Sequence, residues 1–435
     1  MKKSSFYKFL IFSFTTIFLT ALLFFLPHTI HASETSTPEN SENIQVFLDG
    51  LSLKFDVPPV IKEGRTLVPF RVIAENLQLN VLWEDTTQTI RATTPTTSLL
   101  LKIGNNTALV NGQAVPLDVP PEITDGRTLL PLRFFSENLG CTVDWLAEQR
   151  MIKINSPPQK MLVSAFYALG SGQTSSWKNL FNKDFPETEQ GNTNLVRKIA
   201  LGWYSLDQNG NLLTKSTTGW QRPAGWEKVL EAANKYQIKT EMVVHMTDKE
   251  SALSNLIADP IAINQAIANI SKEAPLYDGV NLDLEGLGWR ESGEMLENTR
   301  TNFTHFVQLL YVKLTAQGLT LTLTLHAPNS AYPGYDYENL GNNCDEIIIM
   351  AYDYGSKPEP PELVSAAVEK ALNLVPAKKL ILGISIPSEN TASLPTKIGI
   401  AKRYQLKGIA LWRLGLVTQE MWQVLHENIL PLTVN

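Results

Sequence analysis

From residue 160 to the C-terminus, short apolar or alternating runs take turns with stretches in which apolar residues return every three or four positions. The short runs, at 161–167, 198–206, 240–245, 278–284, 319–325, 346–352, 380–386 and 408–412, predict β-strands. The helical period is clearest at 226–236, 301–316 and 363–374, and a last helix is expected at 419–428. Eight strands interleaved with helices predict an α/β fold, a (β/α)8 TIM barrel, whose usual size is about 250 residues. An open doubly wound sheet is the alternative. No Gly-rich phosphate loop follows any strand, which removes that fold's main ligand class.

The region before residue 156 carries a different pattern, an internal repeat. Asp56-Val57-Pro58-Pro59 and Gly64-Arg65-Thr66-Leu67 return as Asp118-Val119-Pro120-Pro121 and Gly126-Arg127-Thr128-Leu129, and Trp83 returns as Trp145. Each copy reads as a short strand, a Gly turn, a helix opened near a Pro and a Trp-bearing hairpin. Self-similarity at a fixed offset predicts duplicated units that pack together, so a smaller α+β domain is expected at 45–155. The twin Arg71 and Arg133, with Glu75 and Glu137, are expected to form ion pairs that hold the repeat together; contacts to wall glycan are the alternative. Cys141 stands in the slot of Leu79 and is expected to be a small core residue. Residues 156–159, Ser-Pro-Pro-Gln, read as a linker to a barrel at 160–435.

Composition sharpens the address. The chain is 43% hydrophobic and 18% charged, enough apolar residues for sizeable cores. Lys2, Lys3 and Lys8 precede an apolar run from Phe9 to Leu26 and a small-residue end, Ile30-His31-Ala32. That predicts a secretory signal at 1–32. The run approaches the roughly 20 residues of a membrane span, so an uncleaved anchor is the alternative. A Ser/Thr/Glu/Pro/Asn-rich linker follows at 33–44. Net charge is −6 with no basic run, which argues against nucleic acid. Cys141 and Cys344 are too few for a disulfide scaffold. Residues 45–155 contain no His, so soft-metal chemistry is not expected there, and no cofactor signal stands out anywhere. An exported, disulfide-poor chain suits a secreted protein of a bacterial envelope.

The fourth strand carries the chemistry. Alternation puts Asn281, Asp283 and Glu285 on one face and Val280, Leu282 and Leu284 on the other. In a barrel wall the acidic face points inward, at the C-terminal mouth. Carboxylates this close repel, so one is expected to stay protonated near neutral pH. A solvated acidic strand or a calcium site is the plainer reading of Asp-X-Asp-X-Glu; the Asp278-Gly279 turn and the apolar alternation favour a buried one. The sixth strand brings Met350-Ala351-Tyr352-Asp353, and the eighth ends in Trp412. Converging at one mouth, carboxyls, a phenol and an aromatic floor suit a sugar. Trp203 and Tyr167 are expected to line the groove, with Tyr204, Trp289, Tyr332 and Tyr335 as weaker candidates. His245 and His326 follow strands and are expected to be hydrogen-bonded structure.

These residues resemble glycoside hydrolase family 18. Its Asp-Gly-X-X-X-Asp-X-Glu signature is Asp278 to Glu285, its Met-X-Tyr-Asp is Met350 to Asp353, and its closing Trp is Trp412. The resemblance implies substrate-assisted retention: Glu285 as acid and then base, Asp283 orienting the substrate's 2-acetamido group, and Tyr352 donating to its oxygen. Asn281, Met350, Asp353 and Trp412 would bind substrate. Chitinases usually have Asp where this chain has Asn281; the amide could still hydrogen-bond Asp283. Asn there is familiar in the branch that resembles spore-cortex and cell-wall glucosaminidases. The short stretch 388–397 has no room for the α+β insertion of many chitinases, which implies an open groove. The repeat resembles the copper amine oxidase N-terminal-like domain, carried by Gly-Arg-Thr-Leu-hydrophobic-Pro-hydrophobic-Arg, present twice. It is read as a cell-wall attachment or spacing module. The implied function is hydrolysis beside N-acetylglucosamine in peptidoglycan. Chitin, other glycans, or glycan binding without catalysis are the alternatives.

Overall fold

The structure is a computed structural model that describes residues 44–168, 172–216, 219 and 221–432. The expected signal and nearly all of the first linker lie outside the described residues. No described helix is long and apolar enough to cross a membrane.

Eight parallel strands close a barrel: β1 Gln159–Tyr167, β2 Lys198–Leu206, β3 Lys239–Thr247, β4 Gly279–Glu285, β5 Thr320–His326, β6 Glu346–Met350, β7 Leu380–Ser385 and β8 Gly408–Trp412. Each pairs with the next, and β1 also pairs with β8, which closes the ring. Alternation sorts the side chains. Val280, Leu282 and Leu284 face the surrounding helices and are at most 1% exposed, each burial contributing about 1.5–3 kcal/mol. Leu162, Phe166, Ala200, Val243, Ile348, Ile381 and Ala410 form a separate apolar cluster, the inner filling of the barrel. The helix Leu394–Arg403, missing from the sequence reading, shows why periodicity failed there. Eight of its ten residues are buried, Lys397 and Lys402 among them. It lies between the barrel and the N-terminal region, so it has almost no polar face to reveal the 3.6-residue period.

In the N-terminal region the two copies share one sheet. Strands Arg65–Pro69 and Arg127–Pro131 pair antiparallel, with Leu130 opposite Val68, and each carries its own outer hairpin strand. Helices Phe70–Asn76 and Leu132–Asn138 start directly after Pro69 and Pro131, and Phe70 meets Phe135 edge-on at 5.3 Å. Cys141 and Leu79 are buried in the same core. The ion pairs between copies differ from expectation. They are Arg65–Asp118 and Arg127–Asp56, both 2.6 Å, with Lys62–Glu122. Arg133 approaches only Glu137 of its own helix, at 3.9 Å and exposed. The Gly-turn arginines reach across the pseudo-symmetric sheet; the helix arginines point to solvent.

The joint between the regions is packed. Asp49 accepts the backbone N–H and the hydroxyl of Ser156, both at 2.8 Å. Buried Lys402 donates to the Ser156 hydroxyl at 3.1 Å, and Gln78 donates to the Lys402 carbonyl at 2.7 Å.

Candidate active site

The inward face of the barrel is polar at both ends. At the N-terminal end Lys198 reaches Glu241 at 2.7 Å and Glu346 at 2.5 Å, and Lys407 reaches Glu346 at 2.6 Å. Burial alone would pull the Lys198 ammonium down, but the two carboxylates outweigh it and hold it above its ordinary value. Burial likewise opposes ionisation of Glu346, yet Lys198 and Lys407 keep it below the usual carboxylate value. Asn281 belongs to this end. Its amide N–H donates to Glu241 at 3.2 Å and its oxygen accepts from Thr324 at 2.8 Å. It forms no hydrogen bond to Asp283, contrary to the sequence expectation, because charged and hydroxyl partners below it claim both ends of the amide.

At the mouth β4 presents Asp283, 2% exposed, and Glu285, its side chain 30% exposed. Oδ1 of Asp283 is buried without a hydrogen-bond partner. Burial first, and Glu285 second, push the Asp283 carboxyl well above its ordinary value. Two histidines from the flanking strands straddle Glu285. Nε2 of His245 lies 3.3 Å from Oε1, and Nε2 of His326 lies 3.6 Å from Oε2. Burial lowers His326 despite Glu285 and Asp353 nearby, so it is neutral at pH 7.

Tyr352, just beyond β6, is half-buried. Burial, then Asp283, Glu285 and Asp353, raise its phenol, so it remains a donor. Its ring lies over Gly383, where a Cβ would meet it at 3.2 Å and the Ile349 carbonyl at 2.7 Å. Buried Glu359 accepts the backbone N–H groups of Asp353 and Tyr354 at 3.0 and 3.1 Å and so fixes the loop behind Tyr352. Asp353 is exposed, at φ +65°. Met350 is buried beside His326 in the β5–β6 register. Half-buried Trp412 rests edge-on against Phe166 at 5.0 Å. An aromatic ladder leads outward: His326 stacks on Tyr332 at 4.1 Å, and Tyr332 lies 5.3 Å from Trp289, which is half exposed.

Tyr167 and Trp203 do not line the groove. Both are fully buried, with rings 6.3 Å apart in the outer layer, where Trp203 also meets Trp226. Leu162 and Phe166 are inward residues of β1, so Tyr167 faces the helices; on β2 Ala200 is inward, so alternation puts Trp203 outward, and a register break between Gly202 and Tyr204 turns Tyr204 outward as well. Tyr204 and Tyr335 are likewise structural: Tyr204 bonds Tyr277 at 2.7 Å, and Tyr335 donates to the Leu284 carbonyl at 2.8 Å. The sequence reading missed His245 and His326 as neighbours of Glu285, and Glu359 behind Tyr352. His245 shares the inward phase of Glu241 and Val243, a signal available from counting alone.

Comparison with known proteins bears on the family and the fold. The model of Glycosyl hydrolases family 18 matches residues 165–388, and that of the Copper amine oxidase N-terminal domain matches residues 47–154. A Bacillus subtilis (strain 168) protein, YdhD, described as a sporulation-specific glycosylase, is 26% identical over 204 residues. That alignment covers 43% of this chain and 45% of YdhD, so the chain spans less than half of that relative. The spore cortex-lytic enzyme SleL of Bacillus cereus superposes with TM-score 0.51 at 16% identity, over 65% of this chain and 77% of that one. SleL of Bacillus megaterium QM B1551 gives 0.52 at 14%, over 73% and 80%. At these identities the structural likeness speaks to the fold.

Proposed function

Since the chain belongs to glycosyl hydrolase family 18, we propose that it is a secreted, cell-wall-associated enzyme that cleaves β-1,4 bonds beside N-acetylglucosamine in peptidoglycan. The observation that carries the reading is the Asp283/Glu285 pair at the barrel mouth, with the Asp283 carboxyl pushed above its ordinary value by burial and by Glu285, and Tyr352 alongside. The mechanism is substrate-assisted and retaining, outside the two-carboxylate scheme. Glu285 gives its proton to the bridging oxygen as the glycosidic bond breaks. The substrate's acetamido oxygen bonds to the anomeric carbon and forms an oxazolinium ion. Asp283 takes up the acetamido N–H and balances the positive charge, while Tyr352 donates to the acetamido oxygen. Glu285, now a carboxylate, removes a proton from water, which opens the ring with retained configuration. The Trp289–Tyr332–His326 ladder offers stacking faces for flanking sugars.

Peptidoglycan is favoured over chitin by the short connection after β7. Residues 386–393 join β7 to the helix Leu394–Arg403 through one short turn with no inserted strand, and a cleft without a wall on that side suits a crosslinked polymer. Attachment falls to the duplicated region. Two equivalent grooves there carry Trp83 with Arg71 and Trp145 with Arg133, and both Trp rings are exposed. The test compares the full chain with Glu285→Gln on purified sacculi and on chitin oligomers, reading reducing ends and product mass. Release of new reducing N-acetylglucosamine ends from sacculi by the wild type alone supports the reading. Equal rates for the two proteins overturn catalysis by Glu285, and turnover on chitin alone overturns the polymer.

A further inference from the structure

Three ligand-type groups meet at the mouth: a ring nitrogen of His245, a carboxylate oxygen of Asp283 and one of Glu285, all within 4.8 Å of one another. A zinc-like ion binds N and O ligands at about 2.0–2.1 Å in a tetrahedron, which spaces them about 3.3–3.4 Å apart. The His245–Glu285 separation is already 3.3 Å, and His326 stands 3.6 Å away on the other oxygen of Glu285. The second, independent sign is Oδ1 of Asp283, buried in a residue 2% exposed and without a partner. A buried oxygen left unpaired costs free energy that a cation recovers. Imidazole with carboxylate selects Zn2+ and its neighbours, whereas Mg2+ and Ca2+ take all-oxygen shells.

We infer that His245, Asp283 and Glu285 form a binding site for a divalent transition ion of the Zn2+ class, and that the bound ion switches hydrolysis off. The switch rests on the reading of Glu285 as acid: coordination occupies the lone pair that carries the transferable proton and pins Asp283. The site itself does not depend on that reading. No covalent step is involved, and removing the ion restores the starting state.

The experiment is calorimetric titration of the full chain with ZnCl2, with MgCl2 as control, alongside the visible spectrum of the Co2+-loaded protein as a direct report of tetrahedral N/O ligation. The expected result is about one Zn2+ per chain, silence with Mg2+, and affinity weakened about 10-fold or more in His245→Ala and in Asp283→Asn. Circular dichroism melts confirm that each variant folds. No heat with Zn2+ up to about 1 mM overturns the site. Undiminished binding in both variants places the ion elsewhere and also overturns it. Hydrolysis is followed separately: Zn2+ bound at this site without loss of rate refutes the switch. A metal-free wild type that binds Zn2+ but never cleaves sacculi or chitin sinks the hydrolase reading and leaves the site standing.

Discussion

At the N-terminal end of the barrel, Glu241 and Glu346 share Lys198, with Lys407 on the other oxygen of Glu346; at the mouth, Asp283 and Glu285 have histidines beside them and, among the described residues, no lysine or arginine bonded to them. Residue type and wall are the same; countercharge differs. Strand β4 spans the contrast, since Asn281 is bound into the lower network while Glu285, four residues on, stands in the upper one. The pH consequences have opposite sign. Glu346 titrates below its unfolded value of about 4.3, so its stabilisation is present above that pH and fades as pH falls through the folded value. Asp283 titrates above its unfolded value of about 3.9. The unfolded chain therefore releases that proton first, and Asp283 subtracts stability as pH rises through the interval. The lower carboxylates ionise readily against their ammonium partners, whereas the Asp283 carboxyl resists ionisation at a cost in stability.

Four substitutions break or sharpen this contrast. Glu285→Gln should lower kcat by about 10²–10⁴-fold with the melting temperature nearly unchanged; a large stability loss instead would make the upper pair structural. Lys198→Met leaves buried Glu241 without an ammonium and Glu346 with Lys407 alone, and should cost about 3–5 kcal/mol in urea unfolding. Activity per folded molecule should hold, and a loss below about 1 kcal/mol would erase the distinction between the two ends. Tyr352→Phe removes one donor at the reacting amide and should lower kcat by about 10²–10³-fold with little change in KM; a change confined to KM would make Tyr352 a binding residue only. Asp283→Asn should raise stability at pH 7 by about 0.5–2 kcal/mol while depressing kcat. The gain should shrink towards pH 4, and a gain that is flat with pH would exclude ionisation as its source.

The barrel was legible because its strands are short apolar runs of regular spacing, and β2 and β8 begin and end where alternation predicts. Asp283, Glu285 and Tyr352 were legible for the same reason: closure brings distant strand ends together. What escaped was phase. Tyr167 lies one residue past inward Phe166 and Trp203 three past inward Ala200, both odd steps, so two aromatic residues expected at the groove belong to the outer packing. The lower ion network escaped because Lys198, Glu241 and Glu346 each look like an isolated charge at a strand start; only the closed ring makes them neighbours. The ion pairs between repeats were assigned to the helix arginines because sequence identity marks equivalent positions and says nothing of which ones cross the pseudo-twofold sheet.

Asp49, Ser156 and Lys402 lock the N-terminal region to the barrel through buried hydrogen bonds. Ser156, at the start of the Pro-rich connection, is thereby part of a hydrogen-bonded seam that involves both regions.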